Sequence, residues 1–268
     1  MSTNLGRHSQ LPEGIQHQRR LTDVVGDLME LLLEYTAPPS QCGYLSDQSW
    51  SLHHELFKKI SASEYMDRMA NGWRRFGRML FQPRCPKCQQ CQSLRVVVDE
   101  FRPNRSQKRA RKANEKDVRL EIGLPAVTTR KLKLYDRYHA FQSVNKGWPD
   151  QPAKDAESYA QSFIDNPFPT EEWRYYLGDN LIATGYVDIL PGGASAIYFF
   201  YDPDHRKRSL GTWNVLRLIE ECRERGIPHL YLGYYVRGSE SLEYKANFRP
   251  NELFGPEGEW RPFLSASG

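Results

Sequence analysis

The chain is poor in the features that would take it to a membrane or out of the cell. No stretch of its 268 residues approaches the about eighteen consecutive apolar residues of a membrane-spanning helix. Its first residues, rich in Arg, His and Gln, have no apolar centre of the secretory-signal kind. A cytoplasmic protein is expected. Internal repeats are also lacking, which removes solenoid and propeller architectures. Net charge is slight, +4, so a nucleic-acid partner must be sought in local clusters rather than in the total. Cysteine is scarce, with five residues, and in a reducing compartment these are not expected to form disulfides. What remains, 39% hydrophobic and 26% charged residues, suits a chain with a proper core and room for two modest domains.

Four of the five cysteines are arranged suggestively. Cys85, Cys88 and Cys91 form two overlapping Cys-x-x-Cys pairs on one turn, and Cys42 lies upstream. Such thiolates can meet at one zinc ion or iron-sulfur cluster, with Cys42 as the remote ligand. A zinc site usually shows two separated pairs, so reduced thiols packed in a turn are the competing reading. Cys222 falls on an apolar helical stripe and reads as a small core residue.

Residues 1–18 are polar and aperiodic and read as a frayed leader. The apolar cluster in 24–35 fits a short helix or a strand. Alternation over 50–57 predicts a strand, and Ser61 with Glu64 forms a capping box that opens a helix stopped by Gly72. Arg74, Arg75 and Arg78 are then interleaved with Trp73 and Phe76. Arginines among aromatics can pair with carboxylates or stack on bases, or simply form a solvated strand face. A strand over 94–101 leads into residues 101–112, which hold six cations and no acid. Ser106 is placed to cap a helix there, and that density of unopposed charge suits a phosphate backbone, the alternative being a solvated basic helix. Further elements are a strand over 118–122, helices over 131–144 and 156–164, and a linker-like break at 145–152. A three-strand antiparallel meander then runs from 173 to 201, punctuated by Gly178-Asp179-Asn180 and Pro191-Gly192-Gly193.

The chain is organised around residues 196–235. A strand rich in β-branched and aromatic residues ends at Asp202-Pro203. A helix follows with Leu210, Trp213, Leu216, Ile219 and Cys222 on one stripe, and Gly226 and Pro228 stop it before a strand over 230–235. Strand, helix and strand in so short a span force the two strands parallel. The connecting loop carries Arg206, Lys207 and Arg208 at a helix start, where unpaired backbone N–H groups favour an anion; a solvated basic turn is the plain alternative. Beyond the last core strand, Tyr234, Tyr235, Glu243, Tyr244, Lys245 and Asn247 lie where open α/β sheets place ligands.

Arg206-x-x-Ser209-x-Gly211 resembles the pyrophosphate loop of GNAT-fold acyltransferases, except that Ser209 replaces the first glycine. A Cβ there crowds the approach of a pyrophosphate, so an acyl carrier other than coenzyme A is implied. Cys42-Gly-Tyr-Leu45, WRRFGR, RCPKCQQCQSLRV, FRPNRSQKRARKAN, YFFYDPDHRKRSLGT, YLYLGYY and YKANFRP together resemble the motifs of aminoacyl-tRNA-protein transferases, and the cysteine spacing is similar to the bacterial, aspartate/glutamate leucyltransferase branch. The resemblance implies transfer of an aminoacyl group, leucyl before arginyl, from charged tRNA to the α-amine of proteins with N-terminal Asp or Glu, tagging them for N-degron degradation. The rival reading is a tRNA- or RNA-binding module without catalysis. On the family reading no cofactor is required, although Cys42, Cys85, Cys88 and Cys91 could hold zinc or an iron-sulfur cluster. The eukaryotic members carry a second cysteine where this chain has Leu45. Arg206, Arg208, Ser209 and Gly211 are expected to hold tRNA phosphates, with Arg105, Arg109 and Arg111 on the acceptor stem. Arg74, Arg75 or Arg78 is expected to bind the acidic side chain, Arg74 and Arg78 sharing one face of a strand. Tyr234, Lys245 and Asn247 are the candidates for proton transfer. The expected fold class is α+β: a GNAT-like mixed sheet with flanking helices in 116–268, and a smaller N-terminal α+β domain, 20–115, with the cysteines and the acceptor site.

Overall fold

The computed structural model describes residues 29–263, so the polar leader lies outside them. The chain opens with β1 (Glu30–Thr36), the short pair β2 (Ser40–Gln41) and β3 (Ser49–Trp50), β4 (Leu52–Lys59), α1 (Ala62–Ala70), β5 (Arg74–Phe76) and β6 (Met79–Pro83). The apolar cluster that fitted either helix or strand becomes β1 because β4 offers it a partner: Leu31 faces Phe57 and Leu33 faces Leu56 across an antiparallel pair. β1, β4, β6 and β5 form one four-stranded sheet in that order. The capping box at Ser61 and Glu64 is present, which contributes about 1 kcal/mol to the start of α1. α1 buries Tyr65 and Met69 with Phe57 and Leu80 of the sheet.

The second part comprises β7 (Gln92–Val97), α2 (Arg105–Asn114), β8 (Val118–Gly123), α3 (Thr129–Lys146), α4 (Ala156–Phe163), β9 (Thr170–Leu177), β10 (Asn180–Leu190), β11 (Gly193–Tyr201), α5 (Leu210–Glu224), β12 (His229–Tyr235), α6 (Glu240–Glu243), β13 (Asn251–Phe254) and β14 (Trp260–Pro262). Its eight strands run β14-β13-β7-β12-β11-β10-β9-β8, antiparallel throughout except for the parallel β11 and β12 that α5 connects. The architecture is mixed α+β, with helices on both faces of the large sheet. Phe199 packs against the cluster containing α5, whereas its neighbour Phe200 packs with Tyr135, Tyr159 and Phe163 of α3 and α4. Strand alternation therefore places α5 and the α3–α4 pair on opposite sides.

The strand order does not divide the chain near residue 115. β7 lies inside the large sheet between β12 and β13, and α2 is tied to α5 by an ion pair between Arg111 and Glu220. β7 stops at Val97, short of the expected end, because Phe101 turns into the core and stacks on Phe248 with ring centroids 6.4 Å apart. Asn104, rather than Ser106, caps α2, in a capping box with Gln107.

The two sheets are joined by a buried ion pair. Arg75 donates from Nε and Nη2 to the two oxygens of Asp188 at 2.7 and 2.8 Å, from Nη2 also to Thr170 Oγ1, and from Nη1 to Gly77 O and Asn166 Oδ1. Tyr65 adds its hydroxyl to Asp188 at 2.8 Å. Both charged side chains are fully buried. Burial by itself would lower the Arg75 pKa, yet the Asp188 carboxylate raises it above its ordinary value. Arg75→Met leaves a buried carboxylate uncompensated and is expected to cost about 3 to 5 kcal/mol of stability in urea unfolding. A loss below about 1 kcal/mol would show that the pair does not hold the sheets together.

Candidate active site

β11 and β12 hydrogen-bond in register only at Ala194 with Leu230 and Ser195 with Tyr231. Beyond those pairs their ladder ends, although β11 continues to Tyr201 and β12 to Tyr235. On its other edge β12 stays paired to β7 as far as Tyr235 opposite Gln92, past an irregularity next to Gly233, whose φ is +84°. The C-terminal ends of these two parallel strands are thus unpaired with each other, at the place where α/β sheets accept ligands.

Two cations packed on β12 have no carboxylate partner among the described residues. Arg74 is 6% exposed, and its guanidinium lies over the rings of Tyr231 and Tyr234 at 5.3 and 5.8 Å. Nη1 donates to Trp73 O at 2.7 Å, while Nε and Nη2 are buried with no partner. Burial lowers the Arg74 pKa. Lys245, 9% exposed, donates from Nζ to Tyr234 O at 2.8 Å. Burial first, and the Arg74 charge second, bring its pKa down to about 7. A guanidinium with two unused donor nitrogens in a low-dielectric setting is a ready site for a carboxylate. A lysine that is half neutral at neutral pH can take a proton.

The remaining expected residues fall elsewhere. All five N–H groups of Arg75 are engaged, so it is unavailable to a ligand and its proposed acceptor role does not fit. Arg78 does not share a strand face with Arg74, because β5 ends at Phe76 and a turn at Gly77, φ +56°, carries Arg78 away to a separate pocket with Leu56, Met79 and Asp165. Tyr234 directs its hydroxyl to the carbonyls of Gly72 and Phe81, both at 3.2 Å, and burial raises its pKa well above the ordinary value. That arrangement makes Tyr234 a tie between the sheets rather than a proton acceptor. Asn247 is exposed, and its carbonyl receives Gln107 Nε2 of α2 at 3.0 Å, linking its segment to the basic helix.

On the opposite flank, Arg208 pairs with both oxygens of Asp117 at 2.9 Å and with Ala113 O, and Arg111 is engaged with Glu220. Both are thus tied into the fold by carboxylate partners. Arg105, Lys108, Arg109 and Lys112 of α2 are exposed, as are Arg206 and Lys207 in the 3-10 turn Pro203–Arg208. Asn114 Nδ2 donates to Arg208 O at 2.8 Å and brings the turn against α2, so these cations form one surface. Lys108, Lys112 and Lys207 join it from the charge runs, where nothing local set them apart from the arginines. Ser209 adopts φ +55°, the left-handed conformation that a glycine would take more easily, and a Cβ on Gly211 would meet nothing within 4 Å.

Sequence comparison adds an independent line. The family described as arginine-tRNA-protein transferase matches over residues 40–109 with its N-terminal part and over residues 130–255 with its C-terminal part. A Campylobacter jejuni (strain 81-176) protein named aspartate/glutamate leucyltransferase is 34% identical over 216 residues, covering 80% of this chain and 89% of its own. The chain belongs to the arginine-tRNA-protein transferase family. A second relative of the same name, from Stenotrophomonas maltophilia, is 32% identical over 247 residues, 89% of this chain and 96% of its own. Among solved structures, FemX aligns over 84% of this chain and 86% of its own at 8% identity, with a TM-score of 0.47.

In this family member Cys42, Cys85, Cys88 and Cys91 are near neighbours. Cys42, Cys85, Cys88 and Cys91 are all unpaired thiols. Burial, then the proximity of Cys85, Cys42 and Cys88, pushes the Cys91 thiol up to about 12. Among the described residues, however, no three Cys, His, Asp or Glu side chains are disposed to hold a metal ion. No helix among the described residues is long and apolar enough to cross a membrane.

Proposed function

We propose that this protein transfers an aminoacyl group, leucyl, from charged tRNA to the α-amine of proteins that begin with Asp or Glu. The observation that carries this reading is Arg74: a buried guanidinium with unused donors, stacked on Tyr231 and Tyr234 of β12 beside Lys245. The acceptor's side-chain carboxylate would sit on Arg74, and its α-amine would give a proton to Lys245. The amine nitrogen then attacks the ester carbonyl, the bond to the ribose oxygen breaks, and that oxygen takes up a proton as the amide forms. The parallel pair β11–α5–β12 with its short ladder supports a GNAT-like catalytic unit. The exposed cations of α2 and the Pro203–Arg208 turn suit the phosphates of the donor tRNA. The names of the relatives support both the leucyl donor and the acidic acceptor.

The test is a transfer assay with tRNA charged with leucine or arginine and peptides beginning with Asp, Glu, Gln or Ala. Mass spectrometry is expected to show leucyl addition at the α-amine of the Asp and Glu peptides only. Equal modification of all four peptides, or none, overturns the proposal. On the donor side, replacing Arg109 and Lys112 by alanine is expected to reduce the slope of log affinity for tRNA against log salt by about two, one for each lost phosphate contact. An unchanged slope would mean that the tRNA lies on another face.

A further inference from the structure

A cavity of about 820 Å³ opens beside the acid-binding centre, between the turn bearing Cys85, Cys88 and Cys91, the start of β7 and the turn between β13 and β14. Its wall is rich in uncharged amides and hydroxyls: Asn71, Gln82, Gln89, Gln90, Gln92 and Ser93. No carboxylate lines it, and Arg84 is its single cation. Trp73 and Tyr234 line it too, and these are the residues that hold Arg74, through the Trp73 carbonyl and the Tyr234 ring.

One group in the wall is left unsatisfied. Gln82 donates from Nε2 to Asn71 O at 2.7 Å, while its Oε1 is buried with no donor. A buried amide oxygen without a donor carries a desolvation cost that an incoming N–H would relieve. An amide side chain offers a donor and an acceptor together, the same pair that each residue of a polypeptide main chain presents. Such a wall can hold an extended chain without reading its side chains. Backbone surface adds to this: Gly72, at φ +85°, could not carry a Cβ, which would lie 2.7 Å from the Phe254 ring.

We infer that this cavity binds the main chain of the acceptor polypeptide behind its first residue, about residues 2 to 4, an extended length of roughly 10 Å. The assignment rests on the reading of Arg74 as the site of the first side chain. Selectivity then divides physically: a charge at residue 1 is read by a buried cation, and the main chain behind it is gripped by amides indifferent to sequence. Proteins with unrelated sequences behind an acidic first residue would all be accepted.

The experiment is steady-state transfer kinetics with leucyl-tRNA and a length series: glutamic acid α-amide, then Glu followed by one, two, three and five alanines. KM is expected to fall about tenfold between the amide and the four-residue peptide and then level off, as main-chain hydrogen bonds are added. Methylating the backbone nitrogen of residue 2 or 3 should reverse the gain, whereas changing side chains at residues 2 to 4 should move KM by less than about threefold. Gln82→Leu should flatten the length dependence, and the methylated peptides probe the same contacts in unaltered protein. A KM independent of length, or equal sensitivity to side chains, overturns the inference. If the acid preference is lost while the length dependence persists, the reading of Arg74 fails and the cavity assignment stands. The converse result removes the cavity assignment alone.

Discussion

Methionine in place of Arg74 is expected to erase the preference for acidic acceptors. kcat/KM for a Glu peptide should fall by about 30- to 1000-fold, the equivalent of about 2 to 4 kcal/mol for a desolvated, charge-assisted carboxylate contact. The same constant for a Gln peptide should hardly move, so the two converge. Arg74→Lys should restore little, since one ammonium on a flexible stem does not reproduce the two unused nitrogens of a guanidinium. Stability supplies the control. Arg74 is a buried cation with no carboxylate partner among the described residues, so its removal relieves a desolvation cost, and the Met variant should be at least as resistant to urea as the parent. A variant that unfolds earlier and loses activity on all peptides alike would show Arg74 to be structural.

Lys245→Met is expected to lower kcat by about 10²- to 10⁴-fold, the usual scale of a lost general base. The pH profile gives the sharper reading. Burial and the neighbouring Arg74 charge place the Lys245 pKa at about 7, so the amine is protonated and inactive below that pH and neutral above it. The parent's kcat/KM should therefore rise through pH 7 and carry a second rise from the acceptor's own α-amine, with an ordinary pKa near 8. In the Met variant only the second rise should remain. Residual activity with both inflections intact would assign the proton to another group.

Much of the scaffold was legible from local chemistry. The capping box at Ser61, the stripe from Leu210 to Cys222 with its stop at Gly226, and the turn-punctuated meander are set by contacts a few residues apart, and the folded chain has them where that chemistry predicts. The parallel pairing of β11 and β12 followed from the length of the connection. The basic run at α2 was equally visible, because like charges in sequence have nothing local to neutralise them.

The site depended on partners far away in the chain, and spacing along a strand names a face without naming what covers it. Arg74, Arg75 and Arg78 looked alike in sequence. Asp188, reached only when the small sheet docks on the large one, engages Arg75, the Gly77 turn removes Arg78, and Arg74 is left over two tyrosine rings. In the same way Asp117 and Glu220 pair with Arg208 and Arg111, and burial of Lys245 near Arg74 changes its protonation. The sequence by itself determined the elements, the parallel crossover and the supply of cations, since these rest on local periodicity and charge. Which cations remain without a counterion was decided by the tertiary structure, because ion pairing and desolvation act between segments that meet only when the sheets pack.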